Sequence, residues 1–552
     1  MSTDAFLAVR EAHAYPLLIK QLLHTPLATR PEREIVYAGQ YRYDYRGLRE
    51  RIGRLASALA ALGVGPGSTV AVMDWDSHRY LECFFSVPMM GAVLHMVNVR
   101  LSPEQILYTI NHAEDDVILV HRDFVPLVEQ LRDRFECEPT LLLLADGGPV
   151  PESAQGFAAE YETMLETASP GFTFADFDEN TRATTFYTTG TTADPKGVHF
   201  SHRQLVLHTL GLATALAAAP EQGRFHCDDV YLPITPMFHV HAWGVPYVAT
   251  LLGVKQVYAG RYLPETLLDL IEREGVTFSH CVPTILHMLL SHPKAAAVDL
   301  SRWKVIIGGA ALPTGLAQAA LARGIDVIGG YGMSETCPVL TLSQLDGQML
   351  ETDSEQQLAL RTKCGRPLPL VHLRVVDEQM VDAPHDGETT GEVVVRAPWL
   401  TPGYLKNPRD SEQLWRGGYL HTGDVGHLDP HGYLKVVDRL KDVIKTGGEW
   451  IPSIVIEDLV SQCPGVAELA AIGVRDDKWG ERPLVLVVPA AGAELHGAAV
   501  KSHLQRCADA GAISKWAVSD RVLVVEALAK TSVGKLDKKR LRQAYATGRG
   551  QA

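Results

Sequence analysis

Between about residue 50 and residue 330, short β-branched or leucine-rich runs alternate with amphipathic stretches. A strand followed by a helix of crossover length brings successive strands together in parallel, so the alternation predicts βα units in a doubly wound, mostly parallel sheet. The clearest unit spans Ser102 to Val120. Ser102-Pro103-Glu104-Gln105 is a capping box with proline at the first helical position, Ile106, Leu107 and Ile110 share one apolar face, and Val117 to Val120 follow as a strand. The same reading gives a strand from Val254 to Tyr258, a helix from Pro264 to Glu274, and strands from Val305 to Ile307 and from Ile325 to Ile328. Past about residue 365 short strands and turn residues take over: His372 to Val376, Glu392 to Arg396, and a hairpin within Tyr419 to Val437 turning at Asp429-Pro430-His431-Gly432. That stretch is expected to form a β-rich subdomain. Beyond Asp438 a second alternation begins, with a helix from about Ser453, strands near Ala470 and Leu484 and a helix near Ala498. The predicted organisation is α/β: a large N-terminal domain over residues 1–438 with its β-rich subdomain, and a small α+β C-terminal domain over residues 439–552.

Apolar residues make up 46% of the 552 and charged residues 21%, enough for a large core and too apolar for a disordered chain. The net charge of −14 disfavours a sequence-independent grip on a nucleic-acid backbone, so nucleic acid is not an expected partner. No run reaches the ~18 apolar residues of a membrane span, and the N-terminus lacks a basic region followed by an apolar stretch. A cytoplasmic chain is expected. Its eight cysteines lie far apart without a C-x-x-C or zinc-type spacing, and they are expected to be reduced and mostly buried.

Four segments carry candidate chemistry. In Tyr187-Thr188-Thr189-Gly190-Thr191-Thr192-Ala193-Asp194-Pro195-Lys196-Gly197, small and hydroxyl residues let the backbone approach an anion and Lys196 adds charge. No G-x-x-x-x-G-K-[ST] is present, so on its own the segment is either a phosphate cradle or a threonine-rich turn. Gly329-Gly330-Tyr331-Gly332-Met333-Ser334-Glu335 reads as a glycine-rich turn at a strand's carboxyl end: on its own it is either an ordinary strand-to-helix turn or a ligand site of the kind α/β sheets place there, with an aromatic to stack on a base and Glu335 to hold Mg²⁺. The third group is Trp415 to Asp424, Asp438 to Asp442 and Lys445-Thr446-Gly447-Gly448-Glu449-Trp450. The fourth is Lys530-Thr531-Ser532-Val533-Gly534-Lys535.

Taken in order, these segments resemble the adenylate-forming superfamily of acyl-CoA synthetases, peptide-synthetase adenylation domains and firefly-type luciferases. The likeness spans nearly the whole chain, and Pro236-Met237-Phe238-His239-Val240-His241-Ala242-Trp243-Gly244 is most similar to medium- and long-chain fatty-acyl-CoA ligases. The resemblance implies an acid-thiol ligase: an aliphatic acid is activated by ATP as an acyl-adenylate and passed to CoA. A medium- or long-chain fatty acid is expected, with 3-methylthiopropionate as the short alternative. The resemblance further implies that Thr188, Thr189, Gly190, Thr191, Thr192 and Lys196 hold the ATP phosphates, with Thr188 and Glu335 on Mg²⁺. Gly309, Gly329, Gly330, Tyr331 and Ser334 would line the adenine and α-phosphate pocket, and Asp424, helped by Arg439, would take the ribose hydroxyls. Lys441 matches the interdomain hinge and Lys535 the mobile lysine of adenylation. Lys445 and Trp450 would face the nucleotide, Thr446, Gly447 and Gly448 would face CoA, and the C-terminal domain would act as a mobile lid. Val240 and Trp243 would wall the acyl chain, with Val245 and Leu251 as further apolar neighbours, and His239 would position pantetheine; read from the residues alone, an aromatic among aliphatics at this spacing is more often a packing helix. His239 and His241 have no third ligand, which argues against a metal there. A homodimer follows from the resemblance alone.

The chain departs from the family pattern at Ala529 and Ser519, where prolines are usual, and Ser334 stands in for threonine. Each lost proline gives the unfolded chain freedom worth about 0.4–1 kcal/mol and leaves the loop carrying Lys535 less constrained. Two other readings remain: an adenylate-former with a different acyl acceptor, and a nucleotide-binding regulator that has lost catalysis.

Overall fold

The computed structural model describes residues 12–148, 154, 156–188, 194–220, 223–439, 441–446, 449–476, 478–511, 513–530 and 536–545; the side chains of Lys445, Glu449 and Trp450 lie outside that description. The expected βα alternation builds two sheets. In the seven-stranded sheet the spatial order is Ala159–Glu160, Thr140–Leu144, Val117–His121, Thr69–Met73, Val93–Met96, Arg182–Tyr187 and Gly197–Ser201. All pairings are parallel except the last. The nine-stranded sheet has a parallel centre formed by Asp326–Gly332, Lys304–Ile307, Phe278–Cys281, Val230–Pro233, Lys255–Tyr258 and Glu34–Tyr37, with antiparallel strands at both edges. The helix His78–Met89, buried along its whole length, packs against strands of both sheets. One apolar cluster runs through this shared layer and a second lies under the opposite face of the nine-stranded sheet, the two-sided covering that a parallel sheet requires.

Local sequence signals land where expected. Ser102 caps the helix Pro103–Ala113 in a full capping box with Gln105, and the helix Pro264–Glu274 ends at Gly275 in the left-handed region. His372–Val376, Gly391–Arg396, Leu420–Leu428 and Leu434–Arg439 form the four-stranded antiparallel β-rich unit. The chain from residue 444 to residue 524 builds a five-stranded sheet covered by the helices Ser453–Ser461 and Gly497–Asp509 around Ile456, Val460, Val485, Val500 and Leu504. Asp438, buried near the end of the β-rich sheet, accepts from the backbone N–H of Ser453 at 2.5 Å and its hydroxyl at 2.7 Å, tying the two units together. Thr314 donates to Asp458 at 3.2 Å, a second tie.

Two expectations are corrected. The strand expected to end at Ile328 continues as Asp326–Gly332, so Gly329 to Gly332 are strand rather than turn. Gly329 and Gly332 are glycine because other backbone crosses them: a Cβ on Gly329 would lie 2.3 Å from the Lys363 carbonyl oxygen, and one on Gly332 1.8 Å from that of Pro338. The packing helix expected around Trp243 starts only at Val245. Val240, His241, Ala242, Trp243 and Gly244 instead have φ of +41°, +59°, +46°, +59° and +74°, a left-handed turn that hydrophobic periodicity does not signal. The cysteines are all free, four buried and four partly exposed. Among the described residues no helix is long and apolar enough to cross a membrane.

Candidate active site

The carboxyl ends of the strands Lys304–Ile307 and Asp326–Gly332 open into a cleft that is continuous with solvent. Gly308, Gly309, Gly330 and Tyr331 form one wall, Ser334 and Val339 another, and His239, Val240 and Trp243 of the left-handed turn the third. Four sequence candidates, Gly309, Gly330, Tyr331 and Ser334, therefore meet here with His239, Val240 and Trp243. Gly329 is buried in the strand behind them.

Tyr331 donates to Asp424 Oδ2 at 2.7 Å and Arg439 Nε lies 3.1 Å from Asp424 Oδ1. The two strands Leu420–Leu428 and Leu434–Arg439 set this geometry, because Asp424 and Arg439 are in register. Burial, reinforced by Asp424 alongside, pushes the Tyr331 hydroxyl far above the ordinary phenol range, so it stays a donor. A buried carboxylate flanked by a phenol and a guanidinium is an acceptor with room for vicinal hydroxyls.

The segment bearing the threonines joins two antiparallel strands, Arg182–Tyr187 and Gly197–Ser201. Its base is closed by Thr188 N–H donating to the Lys196 carbonyl at 3.0 Å; Thr189, Gly190, Thr191 and Thr192 lie outside the described residues. Lys196 pairs with Asp410, and its ammonium sits 4.8 Å from the centre of the Tyr404 ring. Tyr404 in turn donates to Glu335 Oε1 at 2.7 Å. Thr188, Lys196 and the buried Glu335 are thus linked through Tyr404. Sequence reading missed Tyr404 and Asp410. Neither sits in a glycine- or threonine-rich motif, and their one signal was the turn-forming Thr401-Pro402-Gly403 just upstream.

His239 and His241 do not converge on a metal site. His239 lines the cleft, whereas His241 is fully buried and bonds Thr184 Oγ1 at 2.8 Å through Nε2. Burial lowers the His241 pKa to about 3, so it is neutral. Val245 is buried in the core and Leu251 packs against it, behind the cleft wall.

Lys441 is exposed just past Arg439, and Lys445 and Thr446 lie in the strand Ile444–Thr446, where the Thr446 side chain is buried. Trp450 follows in Glu449–Ile451, while Gly447, Gly448 and Lys535 lie outside the described residues. The flanks of the Lys535 segment are closed: Asp537 N–H donates to the Ala529 carbonyl at 2.9 Å, and Lys530 bridges Leu536. Ser519 is buried, accepts from Arg521 N–H at 3.2 Å and has the carbonyls of Pro483 and Arg521 at 2.8 and 2.6 Å. Hydrogen bonds there supply a constraint that proline supplies covalently.

The chain matches the family model of the AMP-binding enzyme over residues 23–405 and that of the AMP-binding enzyme C-terminal domain over residues 455–535. It is 39% identical over 508 residues to a long-chain-fatty-acid–CoA ligase of Thermus thermophilus, covering 92% of this chain and 90% of the relative. It is 37% identical over 541 residues to a 3-methylmercaptopropionyl-CoA ligase of Ruegeria pomeroyi, covering 96% and 97%. Among solved structures it is similar to ATP-bound MatB from Rhodopseudomonas palustris, with a TM-score of 0.81, 26% identity and coverage of 96% of this chain and 99% of that one. With the carboxylate, tyrosine and lysine arrangement above, these matches over nearly the full length establish that the chain belongs to the AMP-binding, adenylate-forming enzyme family.

Proposed function

We propose that this protein is an ATP-dependent acid-thiol ligase that converts an aliphatic carboxylic acid and CoA into acyl-CoA, with release of AMP and pyrophosphate. The observation that carries the reading is the cleft and its surroundings: Tyr331, which lines it, donates to a diol-type acceptor at Asp424, the Lys196–Tyr404–Glu335 chain follows directly on its lining residue Ser334, and Trp243 gives it an apolar wall. In the first half-reaction a carboxylate oxygen bonds to the α-phosphorus and the bond to pyrophosphate breaks. Two anions approach, so the work is alignment and charge neutralisation, with Lys196 at the phosphates and Lys535 at the α-phosphate and carboxylate. In the second, the CoA sulfur bonds to the acyl carbon, the anhydride bond to AMP breaks, and the thiol proton goes to solvent. His239 at the cleft mouth positions the pantetheine arm.

The donor set suits Mg²⁺. Thr188 and Glu335 offer hard oxygen ligands, and among the described residues no three His, Cys, Asp or Glu are gathered for a metal, so phosphate oxygens and water must complete the shell. When bound with ATP, the ion neutralises phosphate charge. The division at residues 438 and 439, with the smaller unit turning as a lid about Lys441, accounts for one cleft serving two half-reactions. A cytoplasmic homodimer goes with this reading. Light scattering tests the dimer, and mass spectrometry of AMP and thioester formed from Mg²⁺, ATP, CoA and a panel of acids tests the activity. AMP and acyl-CoA in equal amounts are expected. Acyl-adenylate without thioester would move the acceptor away from CoA, and no AMP with any acid would refute the ligase.

A further inference from the structure

We propose that His280 closes the acyl end of the cleft and restricts the acid to short chains, making it the residue that sets chain length. This rests on the ligase reading above and goes beyond it by naming the substrate class. In adjacent parallel strands, residues in register point to the same face. His280 is in register with Ile306 on one side and Pro233 on the other, and Ile306 lines the cleft. His280 therefore stands on the cleft face of the nine-stranded sheet, with Tyr231 and Phe278 two residues away on the same face.

Trp243 lies over this face. Its ring centre is 5.0 Å from that of His280, tilted by 32°, and its Cη2 is so close to Gly308 that a Cβ there would lie 3.1 Å away. Beneath it His280 Nε2 and the Tyr231 hydroxyl share a hydrogen bond of 2.7 Å, and Phe278 stacks on Phe225 at 4.2 Å between ring centres. All four of these side chains are fully buried. The space below Trp243 is thus occupied by a continuous stack of rings. Swinging Trp243 aside opens one ring's depth and then meets a braced histidine. A longer alkyl tail has to displace a hydrogen-bonded pair and leave both polar atoms unpaired in the core. The floor is also polar: His280 Nδ1 has no hydrogen-bond partner, and burial lowers the ring's pKa to about 3, so it stays neutral. A terminal methyl gains little by resting there.

The test is kcat/KM over straight-chain acids from propionate to palmitate, for the wild-type protein, His280→Ala and Trp243→Ala. In the wild type an optimum at or below hexanoate is expected, with a loss of roughly tenfold or more per added pair of methylenes beyond the limit. His280→Ala should move the optimum to longer acids and leave the ATP KM unchanged, and Trp243→Ala alone should leave palmitate a poor substrate. The inference is overturned if the wild type prefers laurate or palmitate, if His280→Ala leaves the profile where it was, or if Trp243→Ala by itself admits palmitate. The wild-type profile decides the matter even if His280→Ala does not fold. AMP formation with some acid but an optimum at long chains sinks this inference and leaves the ligase standing, whereas no AMP with any acid sinks the ligase.

Discussion

Asp424→Asn separates a ligand-binding role from a structural one. The side chain is buried, receives the Tyr331 hydroxyl at 2.7 Å and faces Arg439 at 3.1 Å. Asparagine keeps the shape and one acceptor oxygen, so Tyr331 retains a partner, while one charge-assisted acceptor for a ribose hydroxyl is lost. A hydrogen bond to a charged group contributes about 1.5–3 kcal/mol, which predicts ATP binding weakened ~10- to 150-fold. The structural cost is much smaller. Arg439 is 48% exposed, so its pair with Asp424 is screened by water and contributes less than about 1 kcal/mol. A chain of this size should then lose no more than about 2 °C in Tm. Isothermal titration of ATP into wild type and variant, with thermal denaturation of both, reads the two effects separately. ATP affinity within ~3-fold of wild type alongside a Tm several degrees lower would refute the reasoning and make Asp424 a strut between strands.

Lys535→Ala should slow acyl-adenylate formation by roughly 10²–10³-fold, the scale of a lost charge-stabilising donor, yet leave thioester formation from supplied acyl-adenylate nearly intact. Equal loss in both half-reactions would remove Lys535 from the adenylation step. Asp76, fully buried between Met237 N–H and the Tyr262 hydroxyl, has its pKa pushed up to about 7 by burial, against the pull of those two hydrogen bonds. A raised carboxyl pKa means that the folded protein holds this proton while the unfolded chain gives it up. Stability should therefore fall as pH rises from about 4 to about 7, by on the order of 4 kcal/mol from this group. Asp76→Asn should flatten the dependence of Tm on pH over that window, and an identical slope in the two proteins would refute the assignment.

What sequence made legible was whatever depends on local pattern. The helix at Ser102 was readable from its cap and the β-rich unit from its turn chemistry. Properties set by distant partners were not readable. Gly329 to Gly332 looked like a turn because glycines usually mark one; the reason for Gly329 and Gly332 is backbone from Lys363 and Pro338 crossing the strand. Tyr404 gave no motif because its role exists only where Glu335 and Lys196 meet it in space. Ser519 looked like a lost constraint, and only the carbonyls around it show the constraint replaced.

The left-handed turn at Val240 to Gly244 ties the Trp243 side of the cleft to the strand that leads into Thr188. Four consecutive non-glycine residues at positive φ cost about 1–2 kcal/mol each, so neighbours have to over-determine the turn. They do so from opposite sides. Gly244 lies against His208, where a Cβ would come within 2.7 Å of the ring, so no larger residue fits at the exit of the turn. At its centre His241 bonds Thr184, in the strand Arg182–Tyr187 that runs directly into Thr188 and the phosphate segment. Because burial keeps His241 neutral, that bond does not switch off within the physiological pH range. The left-handed turn and the segment that begins at Thr188 are therefore anchored on one strand, four residues apart.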